Sequence, residues 1–370
     1  MKRTVSLSLL LAVALYSGSY RDNHSCKECH EDIYDEFTRS SHSKTYFNDE
    51  LHRKISRKVD RTKYECAPCH MPASDKLADL VKGDAVPDES DVKEKDGISC
   101  FFCHTIAYVK ESHNHNINLP ARQADGYKPS LFGSLENPDD NDKHSSIKSP
   151  IYRKNACKGC HSHKRNGNGV LIFRAMKEGE GSEECIKCHM PKIPGGVEKM
   201  NKKSRMEHYS HLFPGIRNES MRSKAVDMNI SVDGNKLHVT MHNKMGHPLI
   251  IQPSRAKYLS IEILRDGKVL WKNYRKSPSE DRDGYFESRF YKDGKEVVIP
   301  ADATEKRENN IDANETKELT YDIPSLKKGD IVKVSLYVTI AKSKCAGVVE
   351  LDDTTVMEPL LMKSVEEVIK

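Results

Sequence analysis

One short string, Cys-x-x-Cys-His, occurs five times: Cys26–His30, Cys66–His70, Cys100–His104, Cys157–His161 and Cys185–His189. Together the copies use all but one of the 11 cysteines, leaving Cys345 over. At this cysteine and histidine content, one such string arises by chance roughly 0.01–0.02 times in a chain of this length. Disulfide frameworks do not put a histidine after every second cysteine. Structural zinc sites use two such pairs per metal, which an odd number of pairs does not suit. The string is the attachment signal for c-type haem. The expected cofactors are therefore five covalently bound haems c with their iron. Their attachment points are Cys26 and Cys29, Cys66 and Cys69, Cys100 and Cys103, Cys157 and Cys160, and Cys185 and Cys188. His30, His70, His104, His161 and His189 are the expected proximal iron ligands.

Composition fits a core filled by something besides side chains. Hydrophobic residues make up only 36% of the chain, and there is a single Trp in 370 residues. Lys+Arg (60) and Asp+Glu (55) nearly cancel. That balance excludes a disordered polyelectrolyte and a strongly basic nucleic-acid binder. Haem propionates shift the balance further: each ferric bis-imidazole haem adds about −1 and each ferrous one about −2. Reduction is therefore expected to draw in protons or cations.

Residues 1–19 read as a secretory signal peptide. Lys2 and Arg3 precede the apolar run Val5–Leu15, and the small residues Ser17, Gly18 and Ser19 follow. The run is shorter than the ~20 residues that span a bilayer. A periplasmic location is expected, with membrane association at most peripheral or through an uncleaved leader.

The rest divides into an α + β multidomain chain. Residues 20–222 hold all five strings in a mostly helical and loop unit. Glu31–Tyr46 reads as helix, and Lys82–Gly97 and Ser112–Pro150 as loops. From residue 223 the texture changes. Val226, Met228 and Ile230 alternate with polar residues, as do Leu237, Val239 and Met241, and Val332 through Ile340. Asp233-Gly234, Asp266-Gly267 and Asp293-Gly294 mark turns. Residues 223–350 are expected to form an immunoglobulin-like β-sandwich. Residues 351–370 are expected to be a helical tail, with Leu360, Leu361, Val365 and Val368 near helical spacing. Cys345 reads as a small buried hydrophobe.

The sixth coordination position decides the chemistry. A side chain there makes a haem an electron carrier; an open position lets it bind a small molecule. Seventeen histidines leave 12 beyond the proximal five, so mostly bis-His ligation is expected. His42, His144 and His211 are the leading distal candidates. His42 lies about 18 Å along a helix from His30, too far for the same iron, so it is expected to serve a neighbouring haem. His113 and His115 compete for a further position. His24, His52, His163 and His208 are the other candidates, read as surface or supporting residues ahead of ligands, and His238 and His242 as solvent-facing. His247, in a Met-Gly-His-Pro turn, is not counted as a ligand, though a position facing the haems is open to it. Met71 and Met190, beside proximal histidines, read as packing residues.

Cys26-Lys-Glu-Cys-His-Glu-Asp-Ile-Tyr34, followed by Ser-Ser-His42, resembles the opening of the cytochrome c-552/c-554 multihaem family, related to hydroxylamine oxidoreductase. The Cys-His-Met-Pro strings, His144 ahead of Cys157 and Ser-His211-Leu-Phe-Pro-Gly extend the resemblance over roughly 26–215. It implies a distal role for His42 at the end of the first helix. The β unit is similar, more weakly, to sandwiches appended to some members. The chain departs from the tetrahaem cytochrome that names the family by carrying five strings. It also lacks the Cys-x-x-Cys-Lys string of pentahaem nitrite reductases, which takes away the most specific marker of an enzyme.

The expectation is an exported electron carrier working between respiratory redox partners, a quinol-oxidising cytochrome or a terminal reductase. The alternative is an oxidoreductase acting on a small nitrogen or sulfur compound at one open haem.

Overall fold

The computed structural model describes residues 22–60, 62–123, 127–139, 141–176, 183–195, 203 and 205–370. The expected leader lies outside them. Each string forms about one turn of helix, which explains its spacing. The His30 N–H donates to the Cys26 carbonyl (3.0 Å), His70 to Cys66 (3.1 Å) and His161 to Cys157 (2.9 Å). Residues three and four apart share a helix face. The second thiol and the imidazole therefore point the same way as the first thiol.

Around these turns the N-terminal unit is built from short helices and two-stranded ribbons. Helices include Glu31–Arg39, Glu50–Val59, Cys100–Thr105 and Pro150–Asn155. Side chains cap several of them: Asp49 accepts the His52 N–H, Ser99 that of Phe102 and Ser149 that of Tyr152. Apolar clusters here are small. One joins Tyr46, Tyr64, Ala67, Met71 and Leu80, and another Phe102, Ile106 and Val109. Met71 is a fully buried packing residue. These clusters are too slight to be the unit's main core.

The β unit has a large one. Val226–Asp233, Lys236–Asn243 and Thr316–Asp322 form a three-stranded antiparallel sheet. A seven-stranded sheet runs Lys295–Val297, Tyr285–Lys292, Ala256–Arg265, Ile331–Thr339, Leu360–Val368. Lys268–Lys272 and Glu305–Asn309 add to it as side partners. Alternating strands bury Leu237, Val239 and Met241 from one sheet against Ile261, Val332 and Val334 from the other. Asp266-Gly267 and Asp293-Gly294 both take positive φ, the backbone that a two-residue hairpin turn demands.

Three sequence expectations are corrected. The tail is not helical: Leu360–Val368 is a strand paired antiparallel with Ile331–Thr339. Its Met362 enters the core while Leu361 and Val368 face solvent, so period two prevails over the apparent helical spacing. The β unit therefore runs past residue 350 to the end of that strand. The helix in this region is Ser343–Val349, which buries Cys345 as expected. In the N-terminal unit, the helix expected to reach Tyr46 ends at Arg39, where Ser40 turns extended, leaving His42 in the turn beyond. The stretches read as loops contain the helix Val92–Lys95 and the strands Ile117–Pro120, Ser130–Gly133 and Ser145–Lys148.

Polar side chains join the two units. Buried Asn166 donates to the Pro300 and Ala303 carbonyls (2.9 and 2.8 Å). Arg174 pairs with Asp312 (2.7 Å). Glu50 accepts the Asp352 and Asp353 backbone N–H groups. Among the described residues no helix is long and apolar enough to cross a membrane.

Candidate cofactor-binding site

A continuous cavity of about 3020 Å³ runs through the N-terminal unit and reaches the β unit. Ordinary small-ligand pockets hold ~300–1,000 Å³. Both cysteines and the histidine of all five strings line it.

The strings are arranged in neighbouring pairs. Cys26 and Cys100 are in hydrogen-bond contact, as are Cys69 and Cys160. First and third strings are also tied by Asn23, whose carbonyl accepts the Cys100 N–H (2.8 Å). Second and fourth meet beside Asn118, which donates to Cys160 Sγ (3.2 Å).

Imidazoles from elsewhere in the chain face those of the strings. The His30 and His144 ring centres lie 6.3 Å apart, His104 and His211 6.3 Å, and His42 and His161 6.0 Å. Two imidazoles sharing one metal through Nε2, at about 2.0–2.1 Å each, place their ring centres roughly 6.3 Å apart. These three pairs therefore leave room for an iron between them. A fourth pair, His52 and His70, is closer at 4.3 Å. Phe213, held at φ +46°, packs edge-on against both His42 and His211 and separates two of the pairs.

Hydrogen bonds set the ring nitrogens. Nδ1 of His104 donates to the Phe132 carbonyl (2.7 Å), of His189 to Pro214 (2.6 Å) and of His211 to Tyr209 (2.8 Å). Nδ1 of His52 meets the Asp49 carboxylate (2.9 Å). With the proton on Nδ1, the Nε2 lone pair is left for a metal. Burial keeps the rings neutral. It lowers His42 and His211 to about 3, with the facing histidines adding to the effect. His30, His104 and His161 are lowered for the same reason, and His70 lies well below its usual value. Neutral imidazole is the metal-binding form.

The donor set thus fits haem c: paired thiols on a helix face, an imidazole one residue on, and a second imidazole opposite. Among the described residues the buried His70 Nδ1 has no hydrogen-bond partner. When bound, the haem would supply one-electron iron chemistry; the paired thiols would attach it and the imidazole nitrogens would hold its iron.

The family model described as cytochrome c554 and c-prime matches residues 25–116. That segment carries the likeness to a multihaem c-type cytochrome family. A penta-heme cytochrome c552 from Thermochromatium tepidum shares the fold, with a TM-score of 0.75 over 94% of this chain and 99% of that one, at 22% identity. Two further solved structures, a structural-genomics target and a superoxide reductase in the oxidised state, overlap at TM-scores of 0.19 and 0.17. Their identities are 9% and 8%; each covers 40% of this chain and 88% and 87% of theirs, too weakly to carry any argument. No curated protein matches. The two likenesses together support, at a coarse level, an electron-transfer cytochrome.

The structure brings the rings of His42, His144 and His211 opposite those of string histidines. It does not bring His113, which is exposed and does not line the cavity. The ribbon Ile106–Lys110 with Ile117–Pro120 turns at this point, and only the His113 carbonyl is used, by His163. His115 does line the cavity, near His163 and Lys164. The residue that sequence reading ranked too low is His52. The capping signal Asp49-x-x-His52 puts it in the first turn of Glu50–Val59, aimed at His70. His208 has Nε2 on Glu36 and Nδ1 on the Gly195 carbonyl. His238 and His242 lie on the three-stranded sheet against Thr320 and Thr316.

The β unit contributes its own wall. His247, Arg255 and Lys257 line the cavity. Burial and Arg255 lower Lys257 to about 7, while burial and Arg217 lower Arg255 to about 10. Lys257 donates to the Leu249 carbonyl, and the buried Arg255 Nε has no partner.

Proposed function

We propose that this protein is an exported pentahaem electron carrier of the periplasm, passing electrons between respiratory partners through a chain of mostly bis-His haems. The observation that carries the reading is the set of facing imidazoles at metal-sharing distance: His30 with His144, His42 with His161, and His104 with His211. A sixth position filled in this way suits electron exchange and blocks substrate binding at the iron. The second string is assigned the same ligation by His52, whose side chain would swing away from His70 to admit the metal. The five strings and the penta-heme neighbour support a count of five. Contacts between first and third strings, and between second and fourth, support close haem-to-haem steps within each pair. The sandwich, immunoglobulin-like in style, would dock a quinol-oxidising cytochrome or a terminal reductase, or hold the haem unit at a membrane surface.

One observation favours the second reading, an oxidoreductase for a small nitrogen or sulfur compound. Among the described residues no second imidazole ring stands against His189, and the cationic Arg255 and Lys257 line the same cavity. Low-temperature EPR of the oxidised holoprotein, with haem counted by pyridine haemochrome, tests both readings. Five low-spin haems are expected for the carrier. A high-spin haem that binds nitrite, hydroxylamine or sulfite would give the second reading first place.

A further inference from the structure

We infer that His247, carried by the β unit, is the distal ligand of the haem attached at Cys185–His189. The inference rests on the carrier reading above and extends it to the fifth string, where no facing ring stands among the described residues.

Position is the first argument. His247 lies in the connection between the strands Lys236–Asn243 and Ala256–Arg265, yet it is half-buried and lines the cavity shared by the strings. The segment that holds His189 reaches the same wall: His189 Nδ1 donates to the Pro214 carbonyl (2.6 Å), and Ile216, two residues on, packs with Met245 against the sandwich core that contains Leu249 and Ile250. No residue of the N-terminal unit competes well for the place. Both ring nitrogens of His208 are engaged. His163 Nε2 is taken by the Ser112 and His113 carbonyls. His24 and His113 do not line the cavity. His115 follows Asn114, whose carbonyl accepts the Arg165 N–H (2.8 Å) just past the fourth string, and Lys164 there reaches the Glu65 carbonyl ahead of the second (3.2 Å).

The tautomer is the second argument. His247 Nδ1 donates to the Pro248 carbonyl at 2.9 Å, leaving the Nε2 lone pair bare. His104, His189 and His211 use the same arrangement, each with its Nδ1 on a backbone carbonyl. Such a bond fixes the tautomer of a metal-binding histidine.

The loop is built to hold the ring. Asn243 is fully buried, and its side-chain amide donates to the carbonyls of His247 (2.9 Å), Ile311 (3.1 Å) and Asp312 (3.0 Å). Its oxygen accepts the Met245 N–H (3.1 Å). Asp312 in turn holds Arg174 of the haem unit (2.7 Å). Leu249 and Ile250, directly after the turn, are core residues of the sandwich. One buried amide thus couples the position of His247 to the contact between the units, the preorganisation that a ligand loop needs.

The test uses the full-length oxidised holoprotein and its His247→Ala and His247→Met variants, each with haem counted by pyridine haemochrome. The wild type is expected to be entirely low-spin. His247→Ala is expected to move one haem in five to high spin, and added imidazole to return it. His247→Met is expected to stay low-spin and gain the near-infrared charge-transfer band of a thioether–iron bond. It carries the test if His247→Ala matures poorly. A low-spin wild type with variants of unchanged spectra overturns the inference and leaves the carrier reading standing. A wild type that already has a high-spin haem overturns the inference and weakens the carrier reading with it.

Discussion

Glu36 holds His211 from behind: its Oε2 accepts the His211 backbone N–H at 2.7 Å, while Oε1 meets His208 Nε2 at 2.9 Å. The carboxylate is buried on the helix Glu31–Arg39, so one side chain sets the turn that presents His211 to His104. Glu36→Ala leaves a buried N–H without its acceptor, which costs about 1–3 kcal/mol. The expected result is a broadened or shifted low-spin EPR signal for one haem in five, with the haem count unchanged. Glu36→Gln keeps an acceptor oxygen and is expected to recover most of the wild-type signal. A purely global loss of stability would move all signals alike.

His52 and His113 separate the structural assignment from the sequence one. His52 faces His70 and is braced by Asp49, whereas His113 is exposed. His52→Ala is expected to turn one haem high-spin and to open a carbon monoxide site on the reduced protein. His113→Ala is expected to leave both readouts unchanged and stability within about 0.5 kcal/mol of wild type, as at other surface positions.

The attachment chemistry was legible because it is local: thiol, thiol and imidazole lie within one helical turn, and no tertiary contact alters that. The sandwich was legible in outline because period-two burial survives folding, as in Leu237, Val239 and Met241. The tail was misread because Leu360, Leu361, Val365 and Val368 satisfy a helical pattern by coincidence. Its strand state is fixed by a partner, Ile331–Thr339, which a local pattern does not reveal. Distal histidines are the hardest case. His52 looks like any polar helix residue, and only the fold of residues 49–70 brings it to the second string. His247 lies 58 positions beyond His189 in another unit, so its place depends on how two units dock.

Gly159 stands between the two thiols of the fourth string, and a Cβ there would meet the Asn118 side chain at 1.8 Å. Asn118 itself holds Cys160 Sγ, so the clash falls on the attaching group. Gly159→Ala is expected to lower the haem-to-protein ratio, with a species one haem lighter visible by intact mass. Adding Asn118→Ala removes the obstructing amide and is expected to restore full loading. If Gly159→Ala loads five haems as efficiently as wild type, the packing argument at this string is wrong.

Glu50 gives the contact between the units an acid limit. It pairs with Lys54 (2.7 Å) and accepts the Asp352 and Asp353 N–H groups (2.9 and 3.1 Å). Those partners, Lys54 first, lower its carboxyl from 4.5 to about 2. A depressed carboxylate contributes stability that is fully present above the unfolded value and lost as pH falls through the folded one. The contribution should therefore be complete at pH 7, begin to fade near 4.5 and be gone below about 2. Glu50→Gln is expected to lower Tm at pH 7 by no more than about 2–4 °C, because solvent still reaches both partners of the ion pair. The difference from wild type should shrink as pH is taken from 5 towards 2, followed by calorimetry on the holoprotein. A difference that stays constant across that window would mean that Glu50 acts through packing and not through its charge.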